Sequence, residues 1–315
     1  MKKLSLLFIF ISAMYSHLSG QNLQARKTQE GIEITENGKK ILLYQVRPKS
    51  LNGMYERAGY VHPLYDLNEN IITEDMPPDH PYHRGIFWAW HQIILNGKHI
   101  ADGWISDSIK WEAPVVTSMT NSNKIAIHAE MIWNVHIDTN GIKPIIKELT
   151  NITIHKKNRG YRIIEFDINL LPLVDSLQIG GSDDAKGYGG FCLRLKLPAD
   201  LTFISEGKKI IPQDTAVNAG PWMDFKGSFA GAGQAKSGVA VFGYTKAIDK
   251  THKWILRDSS NTSMQNVPFP GRTPISISHS GLHLSYRVIV HDETVSSEKI
   301  EELYHNFINE TNRER

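Results

Sequence analysis

The chain has 315 residues, 41% of them hydrophobic, and a formal net charge of +2 with no block of like charges. That composition is ordinary for a globular protein with a sizeable core, in one large domain or two small ones, and it argues against nucleic acid and anionic membranes as partners. The single cysteine, Cys192, can form no internal disulfide, so stability has to come from the core, and a small buried residue is expected there.

Lys2-Lys3, the apolar run Leu4–Tyr15 and the small-residue exit His17-Leu18-Ser19-Gly20 form the pattern of a cleavable export signal over residues 1–20. The run falls short of the roughly 20 residues a spanning helix needs, and no other segment approaches that length. The expectation is a periplasmic or secreted protein without membrane insertion of the mature chain, residues 21–315 forming one domain.

Ile32–Glu36 and Lys40–Val46 read as strands joined by an Asn37-Gly38 hairpin turn, and Tyr60–Tyr65 as a further extended piece. Lys124–Val135, Pro144–His155 and Tyr161–Leu170 alternate apolar and polar residues, with turns at Asn140-Gly141 and Asn158-Arg159-Gly160; this predicts an antiparallel meander. Ile179–Gly190 reads as a glycine-rich loop without a dinucleotide or P-loop pattern. Further strands are expected at 193–197, 201–205, 238–244, 253–257 and 282–290, with Pro221–Phe225 as an aromatic connector. One helix is expected at the end. Ser296 to Lys299 supplies an N-cap with acid in the first turn, and Ile300, Leu303, Tyr304, Phe307 and Ile308 form an apolar stripe. The predicted fold is all-β, a large antiparallel β-sandwich with a C-terminal α-helix.

The densest chemistry lies in Pro77-Pro78-Asp79-His80-Pro81-Tyr82-His83-Arg84-Gly85, which its prolines mark as a loop. Five of the fourteen histidines fall between His62 and His99. His80 and His83 have the chemistry of general acids or bases, and Arg84 that of a binder for an oxyanion or a uronate carboxylate. Trp88 and Trp90 follow at once, with Trp104 and Trp111 close behind, and tryptophan faces stack on sugar rings. Alternation places Phe87 and Ala89 on one side of this segment and Trp88 and Trp90 on the other. Glu148 or Asp167, on strands, would serve as the partner carboxylate. His62, Asp79, His91, Lys186, Tyr188, Trp222 and Asp224 complete the expected binding set. A divalent metal held by Asp79, His80 and His83, joined by His62 or His91, is a second reading, although the spacing matches no recognised metal signature. No cofactor is expected.

His62-Pro63-Leu64-Tyr65, the stretch from Pro77 to Trp90, Lys186-Gly187-Tyr188-Gly189-Gly190-Phe191 and Pro221-Trp222-Met223-Asp224 together resemble the exported bacterial proteins often labelled "methane oxygenase PmoA". Many of those proteins carry His where Tyr82 stands, which implies that the weight falls on His80, His83 and Arg84. Methane oxidation by a membrane copper oxygenase would need several spanning helices, which this sequence lacks. The resemblance implies instead a product of a carbohydrate-utilisation locus. Its strand pattern is similar to the galactose mutarotase-like sandwich, in which histidines and a carboxylate surround a sugar. The expected activity is glycosidic cleavage of a saccharide by hydrolysis or elimination, with epimerisation and non-catalytic glycan binding as alternatives.

Overall fold

The computed structural model describes residues 22–137, 141–244, 253–259 and 262–313. The expected export signal and the Asn140 side of the Asn140-Gly141 turn lie outside these residues. Two nine-stranded sheets dominate, and every strand pairing is antiparallel. The first sheet runs, edge to edge, Leu23–Lys27, Gly31–Glu36, Lys39–Gln45, Tyr60–Leu64, Ile86–Trp90, Gly189–Leu193, Thr262–Pro268, Lys253–Ser259 and Val217–Asn218. The second runs Ile109–Thr120, Lys124–His136, Ile142–His155, Tyr161–Pro172, Leu282–Asp292, Ser237–Tyr244, Trp222–Gly227, Thr202–Ser205 and Lys208–Ile210.

Period-two alternation builds the core between them. Ile125, Ile127, Ala129, Met131, Trp133 and Val135 are all inward and fully buried, while Ala126, His128, Glu130 and Ile132 between them face out. Ile164, Phe166, Ile168 and Leu170 repeat the pattern on Tyr161–Pro172. The first sheet answers with Ile86, Trp88, Trp90, Phe191 and Leu193. Aromatic rings lock the two layers: Phe191 stacks 4.3 Å from Tyr286, Phe166 lies 5.2 Å from Phe191, and Trp90 lies 5.9 Å from Trp133. Each such side chain contributes on the order of 2–3 kcal/mol by leaving water.

Several elements differ from the sequence reading, and three of them bear on the core and the site. Trp222–Gly227 is a strand, not a connector, because Met223 and Phe225 turn into the core while Trp222 turns outward. The strand expected at 193–197 instead spans Gly189–Leu193, so the glycine-rich stretch ends inside a sheet. Ile109–Thr120 is a twelve-residue strand that the sequence reading did not anticipate.

The helix Ser297–Arg313 covers the outer face of the second sheet. Ile300, Leu303 and Phe307 pack there on Trp222, Phe242 and Ile289, and Ser296 caps the helix through Lys299 N–H. No helix among the described residues is long and apolar enough to cross a membrane. Among the described residues the outer face of the first sheet carries no helix. It holds a separate cluster of Tyr60, Phe87, Ala89, Trp104, Cys192 and Met264, with Tyr82, Ile105 and Tyr188 packed against it.

Candidate functional site

The Pro/His/Arg stretch folds as two consecutive turns. His80 N–H donates to the Pro77 carbonyl at 3.1 Å and His83 N–H to the His80 carbonyl at 2.9 Å. Pro78 and Pro81 therefore each occupy the second position of a turn, where a fixed φ near −65° is favoured. The second turn sets His80 and His83 at its two ends, and their rings stack at 4.7 Å with an interplanar angle of 4°. Gly85 is required just beyond, since a Cβ there would meet the Val61 carbonyl oxygen at 2.2 Å.

This double turn sits on the outer face of the first sheet. Ring contacts run from His80 through His83 to Trp104 (5.8 Å, edge-on) and from Trp104 to His91 (5.1 Å, stacked). Tyr82 packs edge-on against His83 at 4.9 Å, and Tyr188 lies 5.4 Å from Trp104. Phe87 supports His83 and Trp104 from below. His80 and His91 are partly open to solvent, whereas His83 and Trp104 are buried.

The hydrogen bonds assign different roles to the three imidazoles. His80 Nδ1 lies 2.8 Å from Asp79 Oδ2, and His91 Nδ1 lies 2.8 Å from Asp102 Oδ2. A carboxylate accepts, so each ring carries its proton on Nδ1 and keeps Nε2 for other work. His83 is the reverse. Its Nδ1 lies 3.3 Å from Arg194 Nη1, and a guanidinium only donates, so His83 accepts there and carries its proton on Nε2. Burial, then the neighbouring His80 and Arg194, hold His83 well below the ordinary histidine value.

Outer contacts fix these groups. Arg194 Nη2 grips both oxygens of Asp79, at 2.7 and 2.8 Å, and its Nε reaches Glu74 at 2.9 Å. Partial burial would raise Asp79, but the hydrogen bonds from His80 and Arg194 outweigh it and hold the carboxyl below the usual range. Asp102 Oδ1 accepts from the backbone N–H groups of Trp104 and Ile105. Arg257 Nε donates to the Tyr188 hydroxyl at 2.8 Å.

His80, His83, Asp79, His91 and Tyr188 thus come together, with Lys186 beside them, its Nζ 6.0 Å from the Tyr188 ring. His62 lies at the margin, hydrogen-bonded to Thr73 Oγ1 at 3.0 Å.

Seven expected site residues require correction. Arg84 is fully buried and donates inward to the carbonyls of Pro81, Lys49 and Tyr55 and to Asp75, so it braces the loop and offers nothing to a ligand. Trp88 and Trp90 point into the core, because the alternation that puts Phe87 and Ala89 on the histidine side puts them on the other. Glu148 is buried between the sheets, accepting from Trp133 Nε1 at 2.9 Å and Thr150 Oγ1 at 2.6 Å, and burial pushes its carboxyl up. Asp167 lies on the outer face of the second sheet, paired with His283 at 2.8 Å. Trp222 and Asp224 lie on that same face: Trp222 donates to Glu301 of the helix, and Asp224 pairs with buried His291 at 2.9 Å. None of Glu148, Asp167, Trp222 or Asp224 reaches the imidazoles.

The sequence reading missed Asp102, Arg194, Arg257 and Tyr55 and left Trp104 outside the binding set. Among the described residues no three His, Cys, Asp or Glu side chains are grouped to hold a metal ion. Asp79 and the Nδ1 atoms of His80 and His83 are engaged as described above.

The profile of a family of unknown function, DUF6807, matches residues 31–305, and the chain belongs to that family. The match takes in every strand of both sheets except the edge strand Leu23–Lys27, and every residue of the imidazole cluster. No curated protein matches the chain.

Proposed function

We propose that this member of the DUF6807 family is a saccharide-acting enzyme that works by imidazole proton transfer, as a lyase or epimerase. The observation that carries this reading is the pair of carboxylate–histidine dyads, Asp79–His80 and Asp102–His91, at the two ends of one row of aromatic rings. Each carboxylate orients its ring and supports the imidazolium formed when Nε2 takes a proton, as in other general-base dyads. His83 Nε2–H, held neutral between them, is a donor for a developing oxyanion. Tyr82 and Tyr188 supply the flat apolar surface a pyranose ring packs on.

Hydrolysis by two carboxylates fits less well. That chemistry needs a free acid and a second carboxylate across the glycosidic bond. Asp79 is held by Arg194, and Asp102 by His91 and two backbone N–H groups. Proton abstraction from a sugar carbon by one imidazole leads either to elimination, with loss of the glycosidic oxygen, or to reprotonation on the opposite face. The resemblance to the exported proteins labelled methane oxygenase PmoA and the likeness to galactose mutarotase-like sandwiches support a sugar substrate by analogy only; the Lys2-Lys3 and Leu4–Tyr15 pattern supports export.

The test is a screen of oligosaccharides and uronides in D2O by proton NMR. Elimination shows as a new vinyl signal and epimerisation as deuterium entering a sugar C–H. Binding without either change would make the chain a glycan-binding protein instead.

A further inference from the structure

A cavity of about 420 Å³ opens beside the imidazole cluster. The hairpin that includes Met54–Arg57 forms one wall, the turn from Ile105 to Lys110 another, and Asn134, His136 and Ile142 the third. Two residues belong to both places. Tyr55 lines the cavity and lies 5.8 Å from Tyr82, and Ile105 lines it and packs in the aromatic cluster next to Trp104.

Two polar atoms in the cavity wall have no partner. The amide nitrogen of Asn134 and the hydroxyl of Ser106 are both shielded from solvent without a hydrogen bond, and Asn134 as a whole is only 7% exposed. A buried polar group left unpaired is costly, and native proteins rarely keep one without a use. The register of the neighbouring strands slips between Trp133 and Asn134, and the residue opposite Asn134 is Pro144, which has no N–H. Such a bulge re-aims a side chain. The walls also carry backbone in the left-handed region at Tyr55, Ser106 and Ser108, with φ of 56°, 59° and 58°. Non-glycine residues hold that conformation at a cost, and it concentrates at functional sites.

The rest of the lining is largely carbon, and its charged groups, Glu56, Asp107 and Lys110, leave one net negative charge with His136 neutral, which disfavours an acidic ring. Met54, Tyr55, Ile105, Ile109 and Ile142 supply carbon surface, and Lys110 and Glu56 face each other at 3.9 Å. Met54 and Ile142 are 53% and 64% exposed, which leaves apolar side chains at solvent that the sandwich itself does not use. An uncharged ring with an apolar face and hydroxyl groups matches this set. The volume lies in the range of small-molecule sites.

We propose that this cavity is a subsite for the second, uncharged sugar ring of a saccharide whose first ring lies over the His80–His83–His91 cluster. It rests on the reading of that cluster as a saccharide site. Rotation of the Asn134 and Ser106 side chains toward the cavity, which their shielded positions require, lets the hydroxyls of the second ring satisfy them, and the apolar face of that ring packs on Ile105 and Ile142.

Cellobiose, maltose, lactose and xylobiose, against glucose, galactose and xylose, are the probes. Protein labelled with ¹³C at the methionine methyls is titrated with each, and the Met54 signal is identified by its loss in Met54→Leu. Intrinsic tryptophan fluorescence follows the cluster independently. The expected result is a disaccharide that shifts the Met54 methyl while its monosaccharide does not. Asn134→Leu then weakens that disaccharide roughly tenfold, the scale of one buried hydrogen bond, and leaves the monosaccharide within about twofold. Ile142→Trp, at an exposed position that the fold tolerates, gives the same selective loss if Asn134→Leu does not fold. A disaccharide that changes fluorescence, leaves Met54 unmoved and is indifferent to these variants overturns the subsite and leaves the cluster reading intact. No response to any of the seven neutral sugars overturns the subsite, while silence of the oligosaccharide and uronide screen overturns the cluster reading on which it rests.

Discussion

Arg194 Nη1 faces His83 Nδ1 at 3.3 Å, and this contact fixes which nitrogen of the central imidazole carries the proton. The guanidinium cannot accept, so His83 is neutral with Nε2–H. Burial and the positive neighbours keep it so. Long-range ¹H–¹⁵N spectra at pH 7 are expected to show His83 with unprotonated Nδ1 and no titration between pH 8 and 5.5. A His83 signal that moves through pH 6.5 would contradict the assignment.

His62 gives a stability prediction with a definite sign. Burial, opposed by Asp75 and reinforced by Lys49, lowers its value to about 4 from an ordinary 6.5. The unfolded chain therefore binds a proton in this window that the folded chain refuses. The stability is present above pH 6.5 and is lost as pH falls toward 4, by ~2–3 kcal/mol at pH 4.5 for this group. Urea unfolding at pH 7 and 4.5 measures it, and His62→Gln should flatten the difference. An equally steep loss in the variant would assign it elsewhere.

Arg84 is expected to matter for folding before activity. It ties the double turn to Tyr55, Lys49 and Asp75 from a fully buried position. Arg84→Met leaves Asp75 with only Lys49 and Tyr60, and should cost about 3 kcal/mol. A variant with unchanged urea midpoint and no activity would restore Arg84 to the binding set.

Trp88 and Trp104 should separate in the same way. Trp88→Ala empties a core position and should cost about 3–5 kcal/mol. Trp104→Phe keeps a ring beneath the imidazoles but loses the stack on His91, and should weaken saccharide binding several-fold with a small change in midpoint. Parallel titration and unfolding of the two variants decide the matter.

The sandwich was legible because its strands alternate cleanly: Lys124–His136 and Tyr161–Pro172 announce both their direction and their buried face. Trp222–Gly227 was not, since buried residues on both faces erase the alternation. The double turn was legible from its prolines. Its partner Arg194 was not, because it sits just past the strand Gly189–Leu193, 115 residues from Asp79, and only sheet order brings the two together. One signal went unused. The alternation over Phe87 to Trp90 already divided two faces, and placing the histidines with Phe87 and Ala89 would have removed Trp88 and Trp90 from the site and pointed to Trp104.

The most direct measurement of the central claim compares wild type with His80→Asn and His91→Asn on a saccharide that the D2O screen identifies. General acid–base catalysis contributes roughly 10²–10⁴ in rate. The account predicts a fall of that size in vinyl-product formation or deuterium entry for each variant, with far-UV circular dichroism and urea midpoint unchanged. Full turnover in both variants would show that the two imidazoles carry no part of the chemistry.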